Sequence, residues 1–140
     1  MRVVLDTNIF VSAVFFGGLP QKIVALAEQR KITPCFAIET FDELQTVLND
    51  EKFSQLRNSL NFSVVDFLEK LKNYSLLFAL PANPPTIIKE NRADNYFLAC
   101  SLASQSQYIV SGDQHLLKLK QFQGIPILTP AQFLNQLKKN

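Results

Sequence analysis

Short apolar runs alternate along this chain with segments whose apolar residues recur at helical spacing. The apolar runs predict strands at residues 2–5, 32–36, 75–78, 108–110 and 124–128. Helical spacing and start signals predict helices at 9–16, from Pro20, at 39–48, at 53–60, up to Lys72, from Asp94 and from Pro130. Such alternation favours a mainly parallel sheet covered on both faces. The predicted fold class is α/β, a three-layer α/β/α sandwich around a central, mainly parallel sheet.

The length of 140 residues and a 47% hydrophobic composition are typical of one globular domain, predicted here to span residues 1–140. No repeat, low-complexity tract or linker interrupts the alternation. No stretch of about 18 uncharged apolar residues predicts a membrane span. At the N-terminus, Asp6 interrupts the apolar run too early for a secretory signal. We therefore expect a cytoplasmic protein.

The formal net charge of +2 says little about partners. A dedicated duplex-DNA binder is usually more basic. The charge is compatible with a nuclease whose acids gather at one site, and with a protein that touches no nucleic acid. Six basic residues are candidates for guiding a phosphate backbone: Arg30, Lys31, Lys52, Arg57, Lys89 and Arg92.

The two cysteines, Cys35 and Cys100, have apolar neighbours and no partner at CxxC spacing. This pattern disfavours zinc binding. We expect both to be reduced thiols in the core.

Four acids map to one edge of the predicted sheet. Asp6 follows the first strand, and Asp113 follows the fourth. Asp94 lies in the first turn of the helix that leads into the fourth strand, and Glu43 lies one turn inside the helix after the second. Because ligands of parallel α/β sheets bind beyond the carboxyl ends of the strands, these acids are candidates for one site.

Crowded carboxylates repel one another, and a divalent cation removes that conflict. Mg²⁺ and Mn²⁺ prefer oxygen ligands, and either ion can hold a phosphodiester and activate a water molecule. A Ser–His–Asp arrangement does not compete, because His115 is the only histidine in the sequence and fits a local turn.

Each acid also has a purely structural interpretation. Asp6, Thr7 and Asn8 are residue types that cap helices, and Asp94 at a helix start complements the helix dipole. Asp113 follows a glycine and fits a turn. Glu43 fits an exposed acidic helix face, although its apolar neighbours suggest that it points partly inward while Asp42 faces solvent.

The order of several segments carries more information than any one of them. LDTNIFVSAVF, DELQTVL, ADNYFLACSLA, YIVSGDQHLLKL and GIPILTPAQFL together resemble a PIN domain, over essentially the whole chain. The resemblance is strongest to bacterial and archaeal PIN proteins described as toxins of toxin–antitoxin pairs. It implies a ribonuclease that uses Mg²⁺ or Mn²⁺ to cleave single-stranded RNA. It also implies a homodimer and a small antitoxin protein that blocks the cleft.

The resemblance assigns roles to individual residues. Asp6, Asp94 and Asp113 match the principal metal-binding carboxylates. Glu43 would complete the set, as a direct ligand or through a water molecule. Asn8 matches a supporting asparagine, and Ser111 matches the hydroxyl residue ahead of the last aspartate.

Two positions depart from the family pattern. Asn91 stands where relatives often have an auxiliary acid. Ala37 stands where a serine often caps the helix that carries Glu43, which removes about 1 kcal/mol of local support.

Three other functions are alternatives to the nuclease. A haloacid-dehalogenase-like phosphatase needs a second aspartate two residues after the first, and the chain has Asn8 there. A response-regulator receiver needs acids before the first strand's aspartate and a later lysine. A PIN module without catalysis, acting as a scaffold or binding partner, remains open from the sequence.

Overall fold

The computed structural model describes residues 1–81 and 92–139, and within them six strands form one sheet. The strands are β1 (Arg2–Leu5), β2 (Thr33–Ala37), β3 (Leu76–Phe78), β4 (Tyr108–Val110), β5 (Gln121–Phe122) and β6 (Ile125–Leu128). Their order across the sheet is β3-β2-β1-β4-β6-β5. Every neighbouring pair is parallel except β5 with β6.

Helices connect the strands and cover the sheet. They are α1 (Thr7–Phe15), α2 (Gly18–Glu28), α3 (Ile38–Leu48), α4 (Ser54–Ser59), α5 (Val64–Asn73), α6 (Arg92–Ala103), α7 (Gln114–Leu117) and α8 (Pro130–Lys138). A 3-10 turn at Glu51–Phe53 precedes α4.

Side chains of each central strand alternate between two buried cores. Val3 and Leu5 of β1 pack with α1, α2, α3, α5 and α8 on one face of the sheet. Val4 packs on the other face with α6 and α7. Because both faces are covered, the apolar runs are continuous. The three-layer α/β/α fold predicted from the sequence is confirmed.

Several element boundaries differ from the prediction. Helix α2 begins at Gly18 rather than at Pro20, and Gly17 and Gly18, with φ of +77° and +72°, turn the chain between α1 and α2. Proline is tolerated in the first turn of a helix, where an N–H has no partner within the helix. Helix α6 begins two residues before Asp94, and the two-residue strand β5 was not predicted.

Polar side chains cap the later helices. The Ser63 hydroxyl accepts a hydrogen bond from the Asp66 backbone N–H at 3.2 Å, so Ser63 caps α5. Thr129 and Gln132 form a reciprocal capping box at the start of α8. Pro130 follows at the first helical position, as predicted.

Cys35 and Cys100 are buried free thiols. Burial raises the pKa of both, that of Cys100 to about 12, so the thiols are protonated at neutral pH. In the described part of the chain no single helix is long and apolar enough to cross a membrane. Helices α1 and α2 meet that test only as a pair, by length and composition, and they are bent by 102°.

Candidate active site

The register of β1 and β4 places two of the predicted site residues side by side. Leu5 is paired with Val110, and the next residue, Asp6, donates its backbone N–H to the Val110 carbonyl at 3.0 Å. Asp6 therefore lies just beyond the carboxyl end of β1, and Ser111 lies beside it, just beyond the carboxyl end of β4. Parallel pairing brings residues far apart in sequence to one edge of the sheet.

Ser111 links two of the acids through one hydroxyl. This fully buried side chain donates to Oδ2 of Asp6 at 2.6 Å. The same hydroxyl oxygen accepts the backbone N–H of Asp113 at 2.9 Å. A serine here fixes the orientation of the Asp6 carboxylate and the path of the chain into Asp113.

Asp6 combines a helix-start position with a place at the site. It is the N-cap residue of α1, and its carbonyl accepts the Ile9 N–H at 2.9 Å. The Asn8 N–H lies near enough to favour the charged carboxylate, although its geometry falls short of a capping hydrogen bond. The Asn8 side chain itself is exposed. The helix-cap and site interpretations of Asp6 are thus compatible.

Burial and neighbouring acids both act on the Asp6 carboxyl group, which is only 5% exposed. Its pKa is raised, chiefly because burial penalises the charged form, and further by the charges of Asp113 and Glu43. The Ser111 hydrogen bond opposes this shift by stabilising the carboxylate.

Asp94 lies in the first turn of α6 and is only 3% exposed. Its pKa is raised to about 6, first by burial and then by the charges of Asp113 and Asp6. Among the described residues, its Oδ2 atom is buried without a hydrogen-bond partner. Buried polar atoms are rarely left in this state, so the position calls for an external partner.

Glu43 reaches the same group of acids from the second turn of α3. Its charge contributes to the raised pKa of Asp6 and of Asp94. The side chain is half-buried, whereas that of Asp42 is exposed, as predicted. The Thr7 hydroxyl donates to Oε2 of Glu43 at 2.6 Å. Sequence reasoning treated Thr7 only as a helix-start residue and missed this contact.

The start of α3 compensates for the missing serine at Ala37. The Thr40 hydroxyl accepts the Ala37 backbone N–H at 2.9 Å and donates to the Ala37 carbonyl at 3.1 Å. Thr40 thus supplies one half of a capping box from the third helical position. The expected loss of support for Glu43 is offset within α3 itself.

Asp113 is the N-cap residue of α7, and its Oδ1 accepts the His115 N–H at 2.8 Å. The predicted turn role and a place at the site are again combined in one residue. His115 is exposed, and its charge favours the ionised form of the Asp94 carboxyl group. The histidine therefore lies at the rim of the acid group.

The structure thus brings Asp6, Glu43, Asp94 and Asp113 near enough for their charges to interact. No three His, Cys, Asp or Glu side chains within residues 1–81 and 92–139 are placed to hold a metal ion together. The buried, unpartnered Asp94 oxygen and the mutual repulsion of the acids fit a hard divalent cation, which would relieve both.

The predicted phosphate-guiding residues differ in what their side chains do. The Arg57 guanidinium donates to the carbonyls of Leu48 and Asp50, both at 2.8 Å. These bonds hold the guanidinium near the C-terminal end of α3. Lys89, Asn91 and the side chain of Arg92 lie outside the described residues.

A sequence profile of the PIN domain matches residues 2–115 of this chain. The chain belongs to the PIN domain family. The match spans all four acids, from the strand before Asp6 to the turn after Asp113. The family assignment made from the sequence motifs is confirmed. PIN domains are generally nucleases, and those nucleases typically use divalent metals.

The fold of this PIN domain has a counterpart among solved structures. A chain in the crystal structure of VapBC2 from Rickettsia felis, bound to a DNA fragment from their promoter, superposes with a TM-score of 0.59. The match covers 92% of this chain and 98% of that chain, at 17% sequence identity. At this identity the likeness concerns the fold alone. No curated protein matches the chain in sequence.

Proposed function

We propose that this PIN domain is a metal-dependent endoribonuclease that cleaves single-stranded RNA. The proposal rests chiefly on the state of the Asp94 carboxyl group. It is buried, has an oxygen without a partner among the described residues, and has a pKa raised to about 6 by burial and neighbouring acids. Perturbed carboxyl groups of this kind cluster at functional sites.

The donor set of the proposed site consists of oxygen atoms only. Asp6, Asp94 and Asp113 would hold Mg²⁺ or Mn²⁺, with Glu43 completing the set directly or through water. When bound, the cation would supply a Lewis acid that neutralises charge on the phosphodiester and makes a water molecule more nucleophilic.

The chain's own residues prepare this site in the absence of the ion. The Ser111 hydroxyl holds Asp6 in one orientation and favours its charged form. The Asn8 N–H acts in the same direction. These contacts stabilise the charged form of Asp6 and so oppose the effect of burial, which favours its protonation.

The biological setting is proposed from the family resemblance. We expect a cytoplasmic toxin, active as a homodimer and held in check by a small antitoxin protein. The fold shared with a chain of the VapBC2 complex supports this assignment.

The test is cleavage of a panel of single-stranded and structured RNAs, including tRNAs, by the purified full-length chain. We expect cleavage with Mn²⁺ or Mg²⁺, none with EDTA, and none by Asp6→Asn. Asp42→Asn is the matched control, because it removes one carboxylate from an exposed position beside Glu43. It should cleave as the unmodified chain does.

A nuclease that cleaves only a narrow set of RNAs could escape the cleavage panel. A thermal-shift series with Mn²⁺ still distinguishes it from a scaffold without a metal site. An ion that binds only the folded state raises its stability by mass action. If the chain showed no RNA cleavage and no Mn²⁺-dependent rise in melting temperature, the proposal would be contradicted. Growth arrest on expression, absent in Asp6→Asn and suppressed by a small protein encoded beside the gene, tests the toxin assignment.

A further inference from the structure

The hydrogen bond between Thr7 and Glu43 joins two helices that meet at the acid group. The two residues are 36 positions apart, and the Thr7 hydroxyl lies 2.6 Å from Oε2 of Glu43. Thr7 is buried, at 6% exposure. The short distance and the carboxylate acceptor mark a charge-assisted hydrogen bond.

The Thr7 hydroxyl is not needed to start its own helix. Asp6 occupies the N-cap position of α1, and Thr7 is the first helical residue. A threonine there would ordinarily bond its hydroxyl to nearby backbone or to water. In this structure the hydroxyl reaches across to α3 instead.

Glu43 needs an external contact to keep its carboxylate at the site. It has a long side chain with several rotatable bonds, and it is only half-buried. The charges of Asp6 and Asp94 repel it. Without a donor on the inner side, rotation toward solvent would lower that repulsion.

We propose that Thr7 is a positioning residue that holds the Glu43 carboxylate toward the cation site. Of two consecutive residues, Asp6 supplies one carboxylate and Thr7 orients a second carboxylate on α3. The inference rests on the proposed function, because it concerns how Glu43 serves a bound cation.

The test is Mn²⁺ affinity of the full-length chain, measured by titration calorimetry. Thr7→Val keeps the branched shape without the hydroxyl. It should weaken Mn²⁺ binding roughly tenfold, which is typical when a metal-binding side chain loses a hydrogen-bond partner. Thr7→Ser keeps the hydroxyl, and it should bind within about twofold of the unmodified chain.

A double-variant cycle shows whether Thr7 acts through Glu43. Combining Thr7→Val with Glu43→Gln should weaken binding by less than about twofold beyond Glu43→Gln alone, because without the Glu43 carboxylate the Thr7 hydroxyl has no charged ligand to position. Ser101→Ala is the control for loss of a buried hydroxyl. That hydroxyl donates to the Leu98 carbonyl at 2.6 Å, so its removal should leave Mn²⁺ affinity unchanged.

A crystal structure of Thr7→Val supplies a readout independent of binding. The Glu43 carboxylate should turn away from the acid group in that variant and keep its place in Thr7→Ser. Unchanged Mn²⁺ affinity in a folded Thr7→Val chain would overturn the inference. An equal weakening with and without Glu43→Gln would do so as well.

The outcomes for Thr7 and for the proposed nuclease are distinct. A chain that binds Mn²⁺ with the expected dependence on Thr7 but cleaves no RNA contradicts the nuclease alone. A chain that cleaves RNA while Thr7→Val binds Mn²⁺ normally contradicts the role of Thr7 alone. A chain that binds no Mn²⁺ at all contradicts both.

Discussion

Replacing Asp94 by asparagine should make the metal-free protein more stable. In the folded chain the Asp94 pKa is about 6, against 3.8 for an unperturbed aspartate. Each unit of that difference corresponds to 1.36 kcal/mol, so the charged Asp94 costs the folded state about 3 kcal/mol at neutral pH. Asparagine is neutral and has nearly the same shape as the protonated acid.

Part of the gain is offset by the asparagine amide. Because Oδ2 of Asp94 has no partner among the described residues, the amide N–H₂ placed there would also lack one, at a cost of about 1–2 kcal/mol. The expected net gain for Asp94→Asn is therefore about 1–2 kcal/mol. In a domain of this size it corresponds to a rise in melting temperature of roughly 3–8 °C.

The gain should depend on pH with a definite sign. A carboxyl group whose pKa is raised on folding binds its proton more tightly in the folded state. The free energy of unfolding therefore falls as pH rises from about 4 to about 6. Below about pH 4, Asp94 is protonated in both states, and the advantage of Asp94→Asn should disappear.

Urea unfolding of both chains in EDTA, between pH 4 and pH 8, measures this difference. Asp42→Asn again serves as the control and should stay within about 0.5 kcal/mol of the unmodified chain. Added Mn²⁺ should stabilise the unmodified chain and not Asp94→Asn, by about 2.7 kcal/mol at 100 times the dissociation constant. Equal or lower stability of Asp94→Asn at pH 7.5 without metal would refute the electrostatic reasoning.

Two further substitutions distinguish a residue that supports the metal site from one that only stabilises the fold. Ser111→Ala removes the hydroxyl shared by Asp6 and Asp113, so it should lower stability by about 1–3 kcal/mol and Mn²⁺ affinity roughly tenfold, measured by urea unfolding and calorimetry. Normal Mn²⁺ affinity in this variant would contradict the role given to Ser111. Arg57→Ala removes two hydrogen bonds to carbonyls at the end of α3, so it should lower stability by about 1–2 kcal/mol in urea while calorimetry finds unchanged Mn²⁺ affinity. A weakened affinity would place Arg57 in the site after all.

The central strands could be predicted because they are buried on both faces. Runs such as Val3-Val4-Leu5 have no polar face, and their length excludes a helix of ordinary size. Strand β5 could not be predicted, since Gln121–Phe122 is too short to carry any periodicity. It is defined only by its antiparallel pairing with β6.

The topology expected from the sequence predicted where the acids lie, but it did not predict the hydrogen bonds that hold them. The four acids were placed at one edge because parallel strands share a direction. The bond from Thr7 to Glu43 depends on how α1 packs against α3, which no local pattern encodes. The same holds for Thr40 at the start of α3. Its hydroxyl replaces a missing cap from three residues farther along.

The pairing of β1 with β4 has a consequence for how the protein is made. Asp6 is synthesised among the first residues, and the Ser111 that orients it follows 105 positions later. Until then, β1 lacks its neighbour β4, and Asp6 lacks the hydroxyl that orients its carboxylate. The geometry proposed for the Asp6 carboxylate is therefore complete only after Ser111 has been synthesised and β4 has paired with β1.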